Sequence, residues 1–165
     1  RRSDDAPMPS PRRVCVHARS LGAIKGSELV DPIAQALHDE GLIEYRRIQG
    51  VPHEQMREVY RSADIVLDQF RIGDYGVAAC EAMAAGRLVV GHVNERVRRT
   101  ALDAAGTALP IVEATGATLE AVLRGIVADR AAAAVTAAAG AEYVRVLHDG
   151  RRSAEVLRPF LLGSD

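Results

Sequence analysis

The sequence predicts an α/β domain: a Rossmann-like, doubly wound parallel sheet with helices on both faces, followed by C-terminal helices. Three observations predict it. Short β-branched runs alternate with segments of helical periodicity, and parallel neighbours need crossover connections that are normally helical. The length of 165 residues and 48% hydrophobic content suit one compact domain with a sizeable core. The last third of the chain reads as helix throughout.

Residues 1–11 (RRSDDAPMPSP) carry three prolines, several charges and scattered apolar residues, so they are read as a linker or cloning remnant. The domain is placed at 12–165. Val14-Cys15-Val16 opens the first strand, which ends in His17 and Ala18. Leu29, Val30, Ile33, Ala34 and Leu37 then recur at helical spacing. Pro32 suits only a first turn, so this helix begins at Ser27 or is capped by Asp31. Glu44 to Ile48 reads as a strand, Gly50-Val51-Pro52 as a turn, His53 to Arg61 as a short helix and Ile65-Val66-Leu67 as a buried strand. Next come a helix over Val77 to Ala85, a strand over Leu88 to Val93, a helix over Glu95 to Ala105 and a strand over Leu109 to Val112. Helices over Thr118 to Val127, Arg130 to Leu147 and Arg151 to Leu162 complete the chain; the Ala-rich AAAAVTAAAGA in the second supplies helix propensity and close packing.

Composition narrows the function. The formal net charge is −1 and the arginines are scattered, so the basic stripe of a nucleic-acid binder is missing and no nucleic-acid partner is expected. No apolar run approaches the roughly 20 residues of a membrane span, so the chain is not expected to be transmembrane. The chain starts with neither a signal-peptide h-region nor an initiating Met, which suggests a piece of something longer. Cys15 and Cys80 lie in apolar runs, as small buried thiols do, which fits a reduced, cytoplasmic setting without a disulfide or metal site. None of the histidines His17, His53 and His148 is chosen as a catalytic base; His17 reads best as an ordinary hydrogen-bonded residue, and His148 as a cation favoured near a helix end.

In doubly wound sheets the ligand lies at the carboxyl ends of the strands, where loops lead into helix N-termini. The loop from Arg19 to Gly26 (RSLGAIKG) puts two cations and two glycines there; it contains Lys25, the one lysine of the sequence. A diphosphate, which needs charge neutralisation and close backbone approach, fits this loop; a solvated loop with incidental charges is the alternative. It matches neither GxGxxG nor a Walker loop. The second loop, Gly73-Asp74-Tyr75-Gly76, enters a helix of small residues, whose N–H groups and dipole favour a phosphate. Glu81 is the lone carboxylate in that helix and must find a partner, either a ribose diol or a nearby arginine.

Arg19, Lys25-Gly26, Gly50-Val51-Pro52, Ala63-Asp64-Ile65-Val66 and Tyr75-Gly76 through Glu81-Ala82-Met83-Ala84-Ala85-Gly86 occur in an order that carries a family resemblance. From Arg13 to Leu162 the chain resembles the C-terminal, donor-binding domain of retaining GT-B glycosyltransferases of the group 1 (GT4) type. The resemblance implies transfer of a sugar from a nucleoside-diphosphate sugar, with retention and with no cofactor or metal required. It implies that Arg19, Lys25, Gly26, Gly76 and Val77 bind the donor diphosphate, Glu81 the ribose, and Gly50 and Val51 the base. Gly73 stands where the family often has a glutamate that contacts the sugar, so sugar recognition falls to Gly73 backbone groups, Asp74 and Tyr75 or to the missing N-terminal, acceptor-binding domain. Without that domain, the chain is expected to bind nucleotide without appreciable transfer. A non-catalytic nucleotide-binding regulatory module is the alternative, and a purely structural flavodoxin-like domain is a third reading.

Overall fold

A computed structural model describes residues 12–18 and 25–162. The proposed linker over 1–11 and the loop residue Arg19 lie outside the described residues. The described chain runs β1 (Arg13–Ala18), α1 (Ser27–Asp39), β2 (Ile43–Ile48), α2 (His53–Arg61), β3 (Ile65–Leu67), α3 (Val77–Ala84), β4 (Leu88–Gly91), α4 (Glu95–Ala105), β5 (Ile111–Glu113), α5 (Leu119–Ala128), α6 (Arg130–Leu147) and α7 (Arg151–Leu162).

The five strands form one parallel sheet in the order β2-β1-β3-β4-β5. From β1 the chain first steps outward to β2, and every later crossover moves the other way. With the usual right-handed connection this puts α1 on one face and α2, α3 and α4 on the other. The core divides accordingly. Cys15 joins Val30, Leu37, Leu119 and Leu123 on the α1/α5 face, whereas Val14 and Val16 join Tyr60, Ala79, Met83 and Tyr143 on the other, as the two-residue period of a strand requires. Helix α6 packs on α3 and β4. A Cβ on Gly140 would stand 3.1 Å from Met83 Cγ, so any larger residue would have to push the Met83 side chain aside.

The first helix starts at one of its two expected positions, and two strand boundaries depart from the periodicity. Helix α1 starts at Ser27 and runs through Pro32, which lies on its exposed side; Asp31 is no cap, because its carboxylate accepts the Tyr45 hydroxyl at 2.6 Å. Strand β4 stops at Gly91, two residues early, because the Val93 N–H turns to Glu113 Oε2 (2.9 Å) instead of a neighbouring strand. Pro110 has no N–H for a ladder, and β5 begins after it, at Ile111. Among the described residues, no helix is long and apolar enough to cross a membrane.

Candidate functional site

In a 2-1-3-4-5 sheet the winding reverses between β1 and β3, and the crevice at their carboxyl ends is the place where a ligand fits. His17, the buried residue near the end of β1, organises the mouth of this crevice. Its Nδ1 lies 2.8 Å from the Leu67 carbonyl and its Nε2 2.8 Å from Ser27 Oγ. A carbonyl only accepts, so Nδ1 carries the proton and Nε2 accepts from the serine hydroxyl. Burial, with the nearby Lys25 charge, lowers the His17 pKa despite the opposing Leu67 hydrogen bond, so the ring is held neutral. This histidine ties the start of α1 to the end of β3 and has no ring nitrogen left for a ligand.

Lys25 is not an incidental solvated charge. Its Nζ lies 3.3 Å from Asp68 Oδ1, with side-chain exposures of 16% and 5%. The Lys25 carbonyl accepts the Phe70 N–H, and Gly26, at φ 69°, lies against Phe70 Cβ and Arg71 Cγ. The ammonium carries three donors, and among the described residues the one contact, to Asp68, leaves capacity for an anion in the crevice. Asp68 was not foreseen; its signal in the sequence is a carboxylate directly after the buried run Ile65-Val66-Leu67.

Beyond β3 the chain descends to α3, whose Gly76 entry has no side-chain cap and whose first turn holds no acidic residue. Its leading N–H groups and the positive end of its dipole are therefore available to an anion. Gly76 adopts φ −122° and a Cβ there would meet nothing within 4 Å, so this glycine is bare by choice of side chain and not by backbone need. Gly73 is the opposite case. It is buried at φ 72°, and a Cβ would approach Asn94 Nδ2 to 3.0 Å and His92 Nε2 to 3.4 Å. Its carbonyl accepts the Asn94 N–H at 2.9 Å. Gln69 donates its amide to the Asp74 carbonyl, and Asp74 Oδ1 accepts the Tyr75 N–H at 2.7 Å.

Tyr75 turns its hydroxyl toward His148 Nε2 (3.3 Å), at the end of α6, and its ring stands edge-on to that histidine. Its side chain lines a cavity of about 780 Å³ between α3 and α4. His148 was read as a cation near a helix end, but burial lowers its pKa and it packs between Tyr75 and Tyr143.

Glu81 is not buried alone, and the partner shown for it among the described residues is a histidine and not an arginine. It is about one-third exposed, and His53 Nε2 lies 3.3 Å from its Oε1. His53 begins α2, directly after the turn of Gly50, Val51 and Pro52, so the fold brings the expected ribose and base positions to adjacent elements. Below them, Tyr60 is buried; burial, reinforced by the Glu81 and Asp68 charges, pushes its pKa up to about 12, so the phenol stays protonated. His53, Tyr60 and Glu81 border a cavity of about 840 Å³ along α2 and α3.

No family model matches the sequence, and no curated protein matches it either. Solved structures do. A complex of S. aureus TarM with fondaparinux, α-GlcNAc-glycerol and UDP superposes with TM-score 0.68 at 13% identity, covering 93% of this chain and 36% of that one. Anabaena HepE in complex with UDP-glucose gives TM-score 0.64 at 15% identity, covering 93% and 49%. The C-terminal domain of LpcC, a group 1 glycosyl transferase family protein from Francisella tularensis, gives TM-score 0.58 at 15% identity, covering 84% and 86%. The chain thus spans less than half of TarM or HepE but most of the isolated LpcC domain. At these identities the likeness is one of fold: this chain has the Rossmann-like α/β architecture of the C-terminal domains of GT-B glycosyltransferases.

Proposed function

We propose that this chain is the donor-binding domain of a glycosyltransferase. It holds a nucleoside-diphosphate sugar at the carboxyl ends of β1 and β3 for transfer, with retention, to an acceptor carried by an N-terminal domain. The observation that carries this reading is the uncapped start of α3 beside the Lys25–Asp68 pair, with Glu81 farther along the same helix. Glu81 lies four residues past Val77, roughly 6 Å along the axis, within reach of a ribose joined to a diphosphate at the helix start.

In this reading Lys25, Gly26, Gly76 and Val77, with Arg19, hold the diphosphate. Glu81 accepts from the ribose hydroxyls, Gly50 and Val51 flank the base, and Gly73, Asp74 and Tyr75 border the sugar. The Lys25 ammonium and the α3 dipole stabilise charge that develops on the leaving diphosphate, so no metal is required. The similar folds of HepE with UDP-glucose and TarM with UDP support the substrate class. A cytoplasmic location, supported by the free thiols of Cys15 and Cys80, belongs to the same proposal.

Isothermal titration with UDP, GDP and ADP tests it. One of the three binding with one-to-one stoichiometry is expected, and binding by none to the folded domain overturns the reading. The backbone at Gly73 favours a second reading, a nucleotide-binding regulatory module, because its φ of 72° and the nearby Asn94 side chain oppose an acidic residue there. Sugar-nucleotide turnover after joining the chain to its acceptor-binding domain decides between the two.

A further inference from the structure

Next to Gly73, at the carboxyl ends of β4 and β5, His92 and Glu113 form a dyad that the nucleotide contacts above do not use. His92 Nδ1 lies 2.6 Å from Glu113 Oε1. The second carboxylate oxygen accepts the Val93 N–H at 2.9 Å and Arg98 Nη2 at 2.8 Å, while Arg98 also donates to the Val93 and Ile111 carbonyls. Burial pushes the Glu113 carboxyl up, but the hydrogen bonds from His92, Val93 and Arg98 outweigh it and hold the group ionised. A carboxylate only accepts, so in its neutral form the His92 ring carries its proton on Nδ1 and presents Nε2 as an acceptor. No hydrogen bond engages Nε2 among the described residues. It lies 3.4 Å from where a Gly73 Cβ would stand, and Gly73 offers no side chain to compete for it.

Strand order decides what this acceptor faces. In the sequence β2-β1-β3-β4-β5, the turn assigned to the base follows β2 and the diphosphate site spans β1 and β3, so the far end of the ligand extends toward β4. His92 follows β4, one strand spacing, about 4.8 Å, beyond β3. At neutral pH a diphosphate has almost no O–H to give an acceptor nitrogen, whereas a pyranose has several.

We propose that His92, oriented by Glu113, accepts a hydrogen bond from a hydroxyl of the donor sugar and thereby helps select that sugar. The inference rests on the nucleoside-diphosphate sugar reading and goes beyond it by naming the sugar contact. Glu113 acts as a positioning residue that fixes the tautomer, and Arg98 holds Glu113.

The test compares the full chain with His92→Leu and His92→Gln by isothermal titration, using UDP, GDP and ADP and then UDP-glucose, UDP-N-acetylglucosamine, GDP-mannose and ADP-glucose. Melting temperatures near wild type establish that the variants are folded. The wild type is expected to bind one sugar nucleotide more tightly than its parent diphosphate. His92→Leu loses about three- to tenfold of that gain, as one hydrogen bond is worth, with the parent affinity unchanged. Gln, whose amide reaches the position of Nε2, restores at least half of the gain. A gain that survives in His92→Leu, a gain absent in the wild type, or a Gln variant that behaves like Leu overturns the inference while leaving nucleotide binding intact. Binding of no nucleotide at all overturns the donor-domain reading together with it.

Discussion

Replacing Gly73 by alanine measures how far the loop before α3 dictates its own sequence. The backbone there has φ 72°, which costs an alanine about 1–2 kcal/mol; a less flexible unfolded chain offsets about 0.4–1 of that. The new Cβ would also press on Asn94, at 3.0 Å from Nδ2 and 3.3 Å from Cβ. Asn94 is the cap of α4: its Oδ1 accepts the Val97 N–H at 2.9 Å, and displacing it costs about 1 kcal/mol. Together these terms come to about 2 kcal/mol, or roughly 4–8 °C in Tm for a chain of this size. The assay is urea denaturation followed by circular dichroism, with Gly50→Ala as reference. Gly50 has φ 69°, but a Cβ there meets nothing within 4 Å, so the reference carries the backbone cost without the crowding. Gly73→Ala is expected to be about 1 kcal/mol worse than Gly50→Ala. Equal destabilisation of the two, or a neutral Gly73→Ala, would refute the reasoning.

Three further outcomes follow from the same geometry. His17 is neutral in the fold and has its pKa lowered by burial, so the unfolded chain binds more protons below about pH 6.5 and stability falls as pH drops through that value. Urea midpoints from pH 8 to 5 read this; His17→Gln reduces the slope without abolishing it, because the His148 pKa is shifted the same way, and an unchanged slope sinks the assignment. Lys25→Ala weakens nucleoside-diphosphate binding about tenfold and also destabilises the domain, by about 1–3 kcal/mol, because buried Asp68 loses its cation. Titration and denaturation check the two effects separately, and unchanged affinity would return Lys25 to a purely structural role. Glu81→Ala removes the preference for a ribonucleoside diphosphate over its 2′-deoxy counterpart, about three- to tenfold in the wild type; a preference that persists excludes Glu81 as the ribose contact.

The sheet was legible in the sequence because parallel strands buried on both faces read as short β-branched runs, and Val14 to Val16, Ile65 to Leu67 and Leu88 to Val90 are such runs. The entry to α3 was legible for a similar reason: a glycine followed by small residues is a local pattern with a local consequence. Long-range partners were not. The Lys25–Asp68 pair joins residues 43 positions apart, and the His92–Glu113 pair joins residues 21 apart, so neither has a periodic signature. Extending β4 to Val93 also hid His92 inside a strand, when the chain in fact leaves the sheet at Gly91 and frees His92 to face the loop. Likewise, reading Glu81 as a lone carboxylate missed His53, which only the packing of α2 beside α3 brings near.

Amide chemical-shift mapping of the labelled chain with UDP, GDP or ADP tests the central claim most directly, because it locates the nucleotide as well as detecting it. Donor binding at the crevice predicts that shifts concentrate at Lys25 and Gly26, at Gly50, Val51 and His53, and from Gly76 through Glu81. Shifts confined to the opposite, amino-terminal ends of the strands, around Arg13, Asp64 and Gly86, or none at saturating nucleotide with the domain folded, would contradict it.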